Sequence, residues 1–380
     1  MNLITKILLS ITVLVMLTGV GGVYYLQTNY AGIGLPWVTS IDLPQLPELP
    51  SAQKNLTADQ SGDIYFPTRS PYDFSELLHN YDAAVQHTGK GHLTLPEGAS
   101  VDNPVPAMII LHGSGGIDKD REPVYAQMFA QHGIAAFVLD YYSVRGSTKD
   151  SSYLMKTLSA SETDVVVDAY SALKILGSHP AIDASRIGVT GYSYGGMATR
   201  YTLDPRIKAA VAPDVPRFAA HIDVYGPCHQ TLGNTQTTGA PYLAVFGDED
   251  NSVDPGQCKT VHGNIANAGS PVETLMIPGA GHAWESSRPR DVYDFPYISN
   301  CTMSFDPVSG APLINGKQTT SSPIGATRGE RAFARAKIMV DAPQCIKRGY
   351  IIGDDKNADT KAKAKMLEFL NRHLHKHAAT

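Results

Sequence analysis

From about residue 85 to the C-terminus, short apolar runs alternate with segments whose apolar positions recur every three to four residues. VPAMIILHG is rich in strand formers and stops at glycine, and PVYAQMFAQHG then has helical spacing with a glycine just past its end. IAAFVLDYY reads as the next strand, ASETDVVVDAYSALKILGSH as the next helix, and RIGVTGYS as a strand that halts at a serine. RIKAAVAP, HIDVYG, PYLAVFG and VETLMIPG continue the strand series, and NADTKAKAKMLEFLNRHLHKH closes the chain as an amphipathic helix. Strand alternating with helix predicts an α/β fold with a mostly parallel, doubly wound sheet covered on both faces.

The first residues depart from that pattern. The run from Ile7 to Leu26 carries no charge over twenty residues, which at about 1.5 Å per helical residue is long enough to cross the apolar core of a bilayer. Residues 1–30 therefore read as a membrane anchor or a signal peptide. Lys6 precedes the run and the next charge is Asp42, a bias that leaves the N-terminus in the cytoplasm and exports the rest. The expected location is the periplasmic or extracellular side, membrane-anchored, or secreted if cleavage occurs near Gly19-Val20-Gly21. Residues 31–70, with Pro36, Pro44, Pro47 and Pro50, read as an extended linker, and residues 71–380 as the folded domain. The 31 basic and 36 acidic side chains give a net charge of -5 with no long run of either sign, which argues against a nucleic-acid partner.

The chemistry centres on the serine at the end of the RIGVTGYS strand. In GYSYGG, Ser193 lies between Gly191 and Gly195 and ahead of a helix, the strand-turn-helix setting that holds a serine exposed in a strained backbone. A serine hydroxyl needs a base, and the base an orienting acid. His282 sits in PGAGHAW directly after a strand, and Asp250 in VFGDEDNSVDP after another. Asp248, Glu249 and Asp254 are rivals for the acid. The order Ser, Asp, His is that of the α/β-hydrolase triad. An early strand ending in HGSGG places a lightly substituted backbone beside the serine, and the N–H groups of Ser114 and Tyr194 are the expected oxyanion hole.

HGSGG, VLDYYSVRG, DASRIGVTGYSYGG, VFGDEDNSVDP and PGAGHAW together resemble the dienelactone hydrolase-like family of the α/β-hydrolases. The resemblance implies an α/β-hydrolase fold, Ser193, Asp250 and His282 as the triad, and hydrolysis of a carboxylic ester. The name-giving enzymes use a cysteine nucleophile where this chain has Ser193, so lactone specificity is not carried over.

Residues 285–349 form an insertion after the histidine loop and read as a lid, with Trp284, Tyr293, Phe295 and Tyr297 as an aromatic wall. The four cysteines, in a chain expected to be exported, are expected as two disulfides, Cys228 with Cys258 and Cys301 with Cys345. Neither a metal nor a cofactor is expected. The function read from the sequence is an exported serine hydrolase cleaving a small-molecule or polymer-borne ester through an acyl-enzyme. A peptidase or acyltransferase on the same triad, and a non-catalytic membrane-tethered binding module, are the alternatives.

Overall fold

The structure is a computed structural model that describes residues 38–231, 233, 235–319 and 325–374. The apolar segment from residue 7 to residue 26 lies outside the described residues. Among the described residues no helix is long and apolar enough to cross a membrane.

The chain forms two units, one of residues 44–319 with 344–380 and a smaller one of residues 1–43 with 320–343. In the larger unit the elements run β1 (Gly62–Ser70), α1 (Phe74–His79), β2 (Val85–Thr94), β3 (Val105–Leu111), α2 (Glu122–Gln131), β4 (Ala135–Leu139), α3 (Tyr153–Ser159) and α4 (Glu162–Gly177). They continue with β5 (Ile182–Tyr192), α5 (Tyr194–Tyr201), α6 (Pro205–Val211), β6 (His221–Val224), β7 (Gln230–Thr231), β8 (Tyr242–Gly247), α7 (Pro255–Asn267) and β9 (Val272–Ile277). After β9 come β10 (Asp291–Ile298), β11 (Met303–Phe305), β12 (Pro312–Ile314) and β13 (Lys317–Gln318). Helix α8 (Arg328–Asp341) belongs to the smaller unit, and β14 (Ile346–Ile352) and α9 (Lys356–His373) complete the larger one.

The main sheet has eight strands in the order β1-β2-β4-β3-β5-β6-β8-β9. From β4 to β9 every pairing is parallel, and β1 and β2 add an antiparallel edge. All seven residues of β3 are buried, as a strand covered on both faces requires. Their alternation divides them between two cores: Ala107, Ile109 and Leu111 pack with α4 and α5, whereas Met108 and Ile110 pack with α2, α7 and α9. This is the architecture of an α/β-hydrolase.

Three expectations are corrected. The stretch 31–70 is not linker throughout, because β1 enters the sheet at Gly62. RIKAAVAP is not a strand but helix α6: Asp204 accepts the Arg206 N–H as N-cap and Pro205 opens the first turn, so local capping outweighs the apolar run. The hydrophobic pattern also omits β1 and β2. Gly89 and Gly91 lie under the rings of Phe66 and Phe137, where a Cβ would come within 2.4 and 2.3 Å of ring atoms. Glycine at these positions breaks the apolar alternation while making room for the rings.

In the smaller unit the Ile41 N–H donates to Gly329 O at 3.0 Å, joining the segment before residue 44 to the first turn of α8. Gly329 is required there, since a Cβ would fall 2.6 Å from Ile41 O. The insertion is structured in parts: β10 pairs antiparallel with β14, β11 to β13 form a small sheet with β7, and residues 320–343 belong to the smaller unit.

Candidate active site

Strand β5 lies between β3 and β6 near the middle of the sheet and delivers Ser193 to its C-terminal edge. Ser193 has φ 55° and ψ -114°, an unfavourable conformation for a residue with a side chain, costing about 1–3 kcal/mol. The surrounding glycines make the turn possible. A Cβ at Gly191 would stand 2.1 Å from Gly195 O, and one at Gly195 would stand 2.4 Å from Leu111 O. The Ser193 N–H donates to Val224 O at 2.9 Å, tying the turn to the end of β6.

Asp250 lies in the turn after β8 and is fully buried. That turn is bonded to the histidine loop at two places: Asp248 Oδ1 accepts from the Gly279 N–H at 2.7 Å, and the Glu249 N–H donates to Ala280 O at 3.1 Å. The histidine itself is held from the other side by β14. Its N–H donates to Ile351 O at 2.8 Å and its carbonyl accepts from the Gly353 N–H at 3.1 Å. A segment more than sixty residues downstream thus fixes the backbone of His282.

These elements bring Ser193, His282 and Asp250 together. His282 Nδ1 lies 2.5 Å from Asp250 Oδ2, and His282 Nε2 lies 2.9 Å from Ser193 Oγ. A carboxylate only accepts, so Nδ1 carries the proton and Nε2 presents its lone pair to the serine hydroxyl. The rival acids are engaged elsewhere: Asp248 with Gly279, Glu249 in an ion pair with Arg290 at 2.6 Å, and Asp254 as N-cap of α7.

The turn Gly113–Gly116 follows β3 and closes on itself, with the Gly116 N–H donating to Gly113 O at 3.0 Å. It rests on Ser193, since a Cβ at Gly113 would lie 3.5 Å from Ser193 Cβ. Ser114 stands in this turn, and Tyr194 is the first residue of α5, where helix amides point beyond the helix end. Two buried side chains brace the turn. His112 donates from Nδ1 to Gly113 O at 2.8 Å and stacks on Tyr141 with centroids 3.6 Å apart, and the Tyr141 hydroxyl donates to His112 O. Burial pushes the His112 imidazole down to about 4, so it stays neutral. Lys156 donates from Nζ to Gly115 O at 2.9 Å, and desolvation lowers its affinity for the proton.

The aromatic wall is corrected. Trp284 is fully buried and packs edge-on against Tyr225 at 4.7 Å, because it follows the histidine into the interior. Tyr350, not singled out from the sequence, meets the His282 ring edge-on at 5.4 Å, and Tyr297 meets Tyr350 at 5.7 Å. Tyr293 and Phe295 stack at 6.4 Å with Arg288 5.8 Å from each ring centre. Sequence reasoning also passed over Ser252, whose hydroxyl donates to Asp250 Oδ1 at 2.6 Å. The Asp-x-Ser spacing was the available signal, an Asx-type turn in which the second residue on bonds back to the carboxylate.

Cys228 is joined to Cys258 and Cys301 to Cys345, with Cα separations of 5.0 and 5.4 Å. Among the described residues the one convergent set of metal-type donors is Cys228, Cys258 and His262. The two sulfurs are bonded to each other and so offer no thiolate.

The Dienelactone hydrolase family model matches residues 90–299, a span that contains Ser193, Asp250 and His282. The chain is 24% identical over 192 residues to a candidate carboxymethylenebutenolidase of Escherichia coli K12, covering 49% of this chain and 69% of that protein. It is 31% identical over 127 residues to esterase FrsA of Escherichia fergusonii, covering 31% of this chain and 27% of that one. A crystal structure of a candidate dienelactone hydrolase from Klebsiella pneumoniae overlaps with a TM-score of 0.41 at 20% identity, covering 58% of this chain and 88% of that one. With more than half of its length matched by the family model, the chain belongs to the dienelactone hydrolase family and is a carboxylic ester hydrolase.

Proposed function

We propose that this protein is an exported serine esterase that works through an acyl-enzyme on Ser193. The observation that carries the reading is the continuous line of contacts from Ser193 Oγ to His282 Nε2 at 2.9 Å and from His282 Nδ1 to Asp250 Oδ2 at 2.5 Å. In acylation Nε2 takes the hydroxyl proton as Oγ attacks the ester carbonyl carbon. The carbonyl oxygen becomes an oxyanion facing the amides of Ser114 and Tyr194, donors worth roughly 3 to 4 kcal/mol each in the transition state. The imidazolium, stabilised by Asp250, returns the proton to the departing alcohol. Water then repeats the sequence: Nε2 takes its proton as the water oxygen attacks the acyl carbon, the bond from that carbon to Ser193 Oγ breaks as the imidazolium returns the proton to Oγ, and the carboxylic acid leaves. No step calls for a metal or a redox cofactor.

Export rests on the uncharged run at residues 7–26, whether it stays as an anchor or is removed as a signal peptide. The substrate class is a small-molecule or polymer-borne carboxylic ester. Incubation with a fluorophosphonate probe tests the chemistry: stoichiometric labelling of Ser193, together with turnover of p-nitrophenyl esters, is the expected result. Labelling with no turnover of esters of any acyl length would leave a peptidase or acyltransferase. No labelling at all would leave a non-catalytic binding module and overturn the reading.

A further inference from the structure

Asp250 holds His282 through one oxygen, Oδ2. Its other oxygen, Oδ1, receives two donors from a single residue: the Ser252 N–H at 3.0 Å and the Ser252 hydroxyl at 2.6 Å. The same hydroxyl oxygen lies 3.2 Å from His282 Nδ1. Its proton is committed to the carboxylate, so its lone pair faces the imidazole N–H. Asp250 is fully buried and Ser252 nearly so. A buried carboxylate can turn about its last side-chain bond and present either oxygen, and bulk water is not at hand to hold one face. Saturating Oδ1 from the backbone and side chain of one residue removes that freedom and leaves Oδ2 aimed at the imidazole.

We infer that Ser252 is a positioning residue of the triad, acting through Asp250 to set the tautomer and orientation of His282. The inference rests on the proposed roles of Ser193, His282 and Asp250 and adds a fourth member to them. Because Ser252 touches neither substrate nor Ser193, its removal is felt in turnover and not in substrate binding. A charge-assisted hydrogen bond lost at a buried site corresponds to roughly a tenfold to thirtyfold fall in rate.

The test uses the full chain with Ser252→Ala, Ser252→Thr and Ser252→Val, active sites being counted by fluorophosphonate titration of each variant. Ser252→Ala and Ser252→Val are expected to lower kcat on p-nitrophenyl acetate by about tenfold to thirtyfold with KM changed less than about twofold. Ser252→Thr, which has the shape of Val but keeps the hydroxyl, is expected to retain kcat within about threefold of wild type. The downfield proton resonance of the His282 Nδ1–H should be present in wild type and Ser252→Thr, and broadened or lost in Ser252→Ala. In an Asp250→Ala background the effect of Ser252→Ala should shrink, since the route through Asp250 is gone and only the 3.2 Å approach of the hydroxyl to Nδ1 remains. Wild-type kcat in Ser252→Ala, or equal losses in Thr and Val, overturns the inference, as does an undiminished Ser252→Ala effect in the Asp250→Ala background. A wild-type protein that neither labels nor hydrolyses esters overturns the esterase reading instead, a distinguishable result.

Discussion

The ring of Tyr225 lies against the His282 imidazole with centroids 4.6 Å apart. Tyr225 follows β6 with φ 42°, and its hydroxyl donates to Glu285 Oε2 at 2.8 Å. Glu285 is buried, and burial pushes its carboxyl above the usual range while the Arg121 guanidinium pulls it down. The hydroxyl of Tyr125 donates to its other oxygen at 3.2 Å. The histidine is therefore enclosed by groups from three separate segments, Asp250 after β8, Tyr225 after β6 and Tyr350 on β14, while Glu285 of its own loop holds Tyr225 in place. An imidazole gripped on this many sides stays aligned while it gains and loses a proton, which general base catalysis requires.

The proposed nucleophile gives the first prediction. Ser193→Ala should lower ester turnover by about three to six orders of magnitude, since the remaining groups cannot form an acyl-enzyme. Circular dichroism and Tm should remain near wild type, because alanine removes a single oxygen at a strained position. Wild-type turnover in this variant would remove Ser193 from the mechanism.

The choice of acid gives the second. Asp250→Asn should cost about two to four orders of magnitude in kcat, because an amide presented to Nδ1 permits the wrong imidazole tautomer. Asp254→Asn, at a helix N-cap, should cost stability of less than about 1 kcal/mol and little activity. Asp248→Asn keeps an oxygen for the Gly279 N–H and should also be mild. A larger loss in either of these than in Asp250→Asn would move the acid.

Legibility divides along physical lines. The parallel strands β3, β4 and β8 stand out because burial on both faces makes them nearly continuous apolar runs, and the turn at Ser193 stands out because only glycine fits at 191 and 195. Asp250 was legible as one of four acids in one turn; burial and direction, which separate it from Asp248, Glu249 and Asp254, are tertiary properties. β2 escapes because Gly89 and Gly91 break its alternation, and α6 because an alanine-rich run suits either state until its cap is weighed. Trp284 and Tyr350 exchange places for a topological reason. β14 pairs with both the histidine loop and β10, and no local pattern announces a strand contact across an insertion of this length.

Export gives the third prediction. Protein expressed with its native N-terminus should remain with membranes through a high-salt or carbonate wash if residues 7–26 stay as an anchor. A soluble product beginning near residue 22 would identify a signal peptide. Cytoplasmic protein with an intact N-terminus in an export-competent cell would contradict both forms of the proposal.

The second disulfide gives the fourth. Cys301 and Cys345 are 44 residues apart in sequence, and the chain-entropy model assigns the closure of such a loop about 4 kcal/mol. Cys301→Ala with Cys345→Ala should lower stability by up to that amount, read as a fall in the denaturation midpoint with an m-value that rises as the open unfolded chain exposes more surface. β14 begins immediately after Cys345 and carries the backbone partner of His282, so activity should also become more temperature-sensitive. Stability and heat tolerance equal to wild type would show that β14 is held by its strand pairing alone.

Acid sensitivity is the fifth. Burial pushes four imidazoles down from their ordinary range: His112 to about 4, and His221, His229 and His262 to about 3. In the unfolded chain each takes up a proton near pH 6.5. The folded values lie below the unfolded one, so this contribution to stability is complete above about pH 6.5 and is lost as pH falls toward 3 to 4, at about 1.4 kcal/mol per pH unit for each proton. Glu285 and Asp223, raised by burial, act in the opposite sense and lose stability as pH rises through their folded values. The four histidines outnumber the two acids, so stability should fall as pH drops from 6 to 5. Urea melts across that range should show the midpoint dropping. His262→Phe, placed among Tyr242 and Phe246 whose rings lie 5.7 and 5.8 Å from the imidazole, should make the dependence shallower by about one proton. A midpoint constant from pH 7 to pH 5, or a slope unchanged by His262→Phe, would mean that the buried histidines do not drive unfolding in acid.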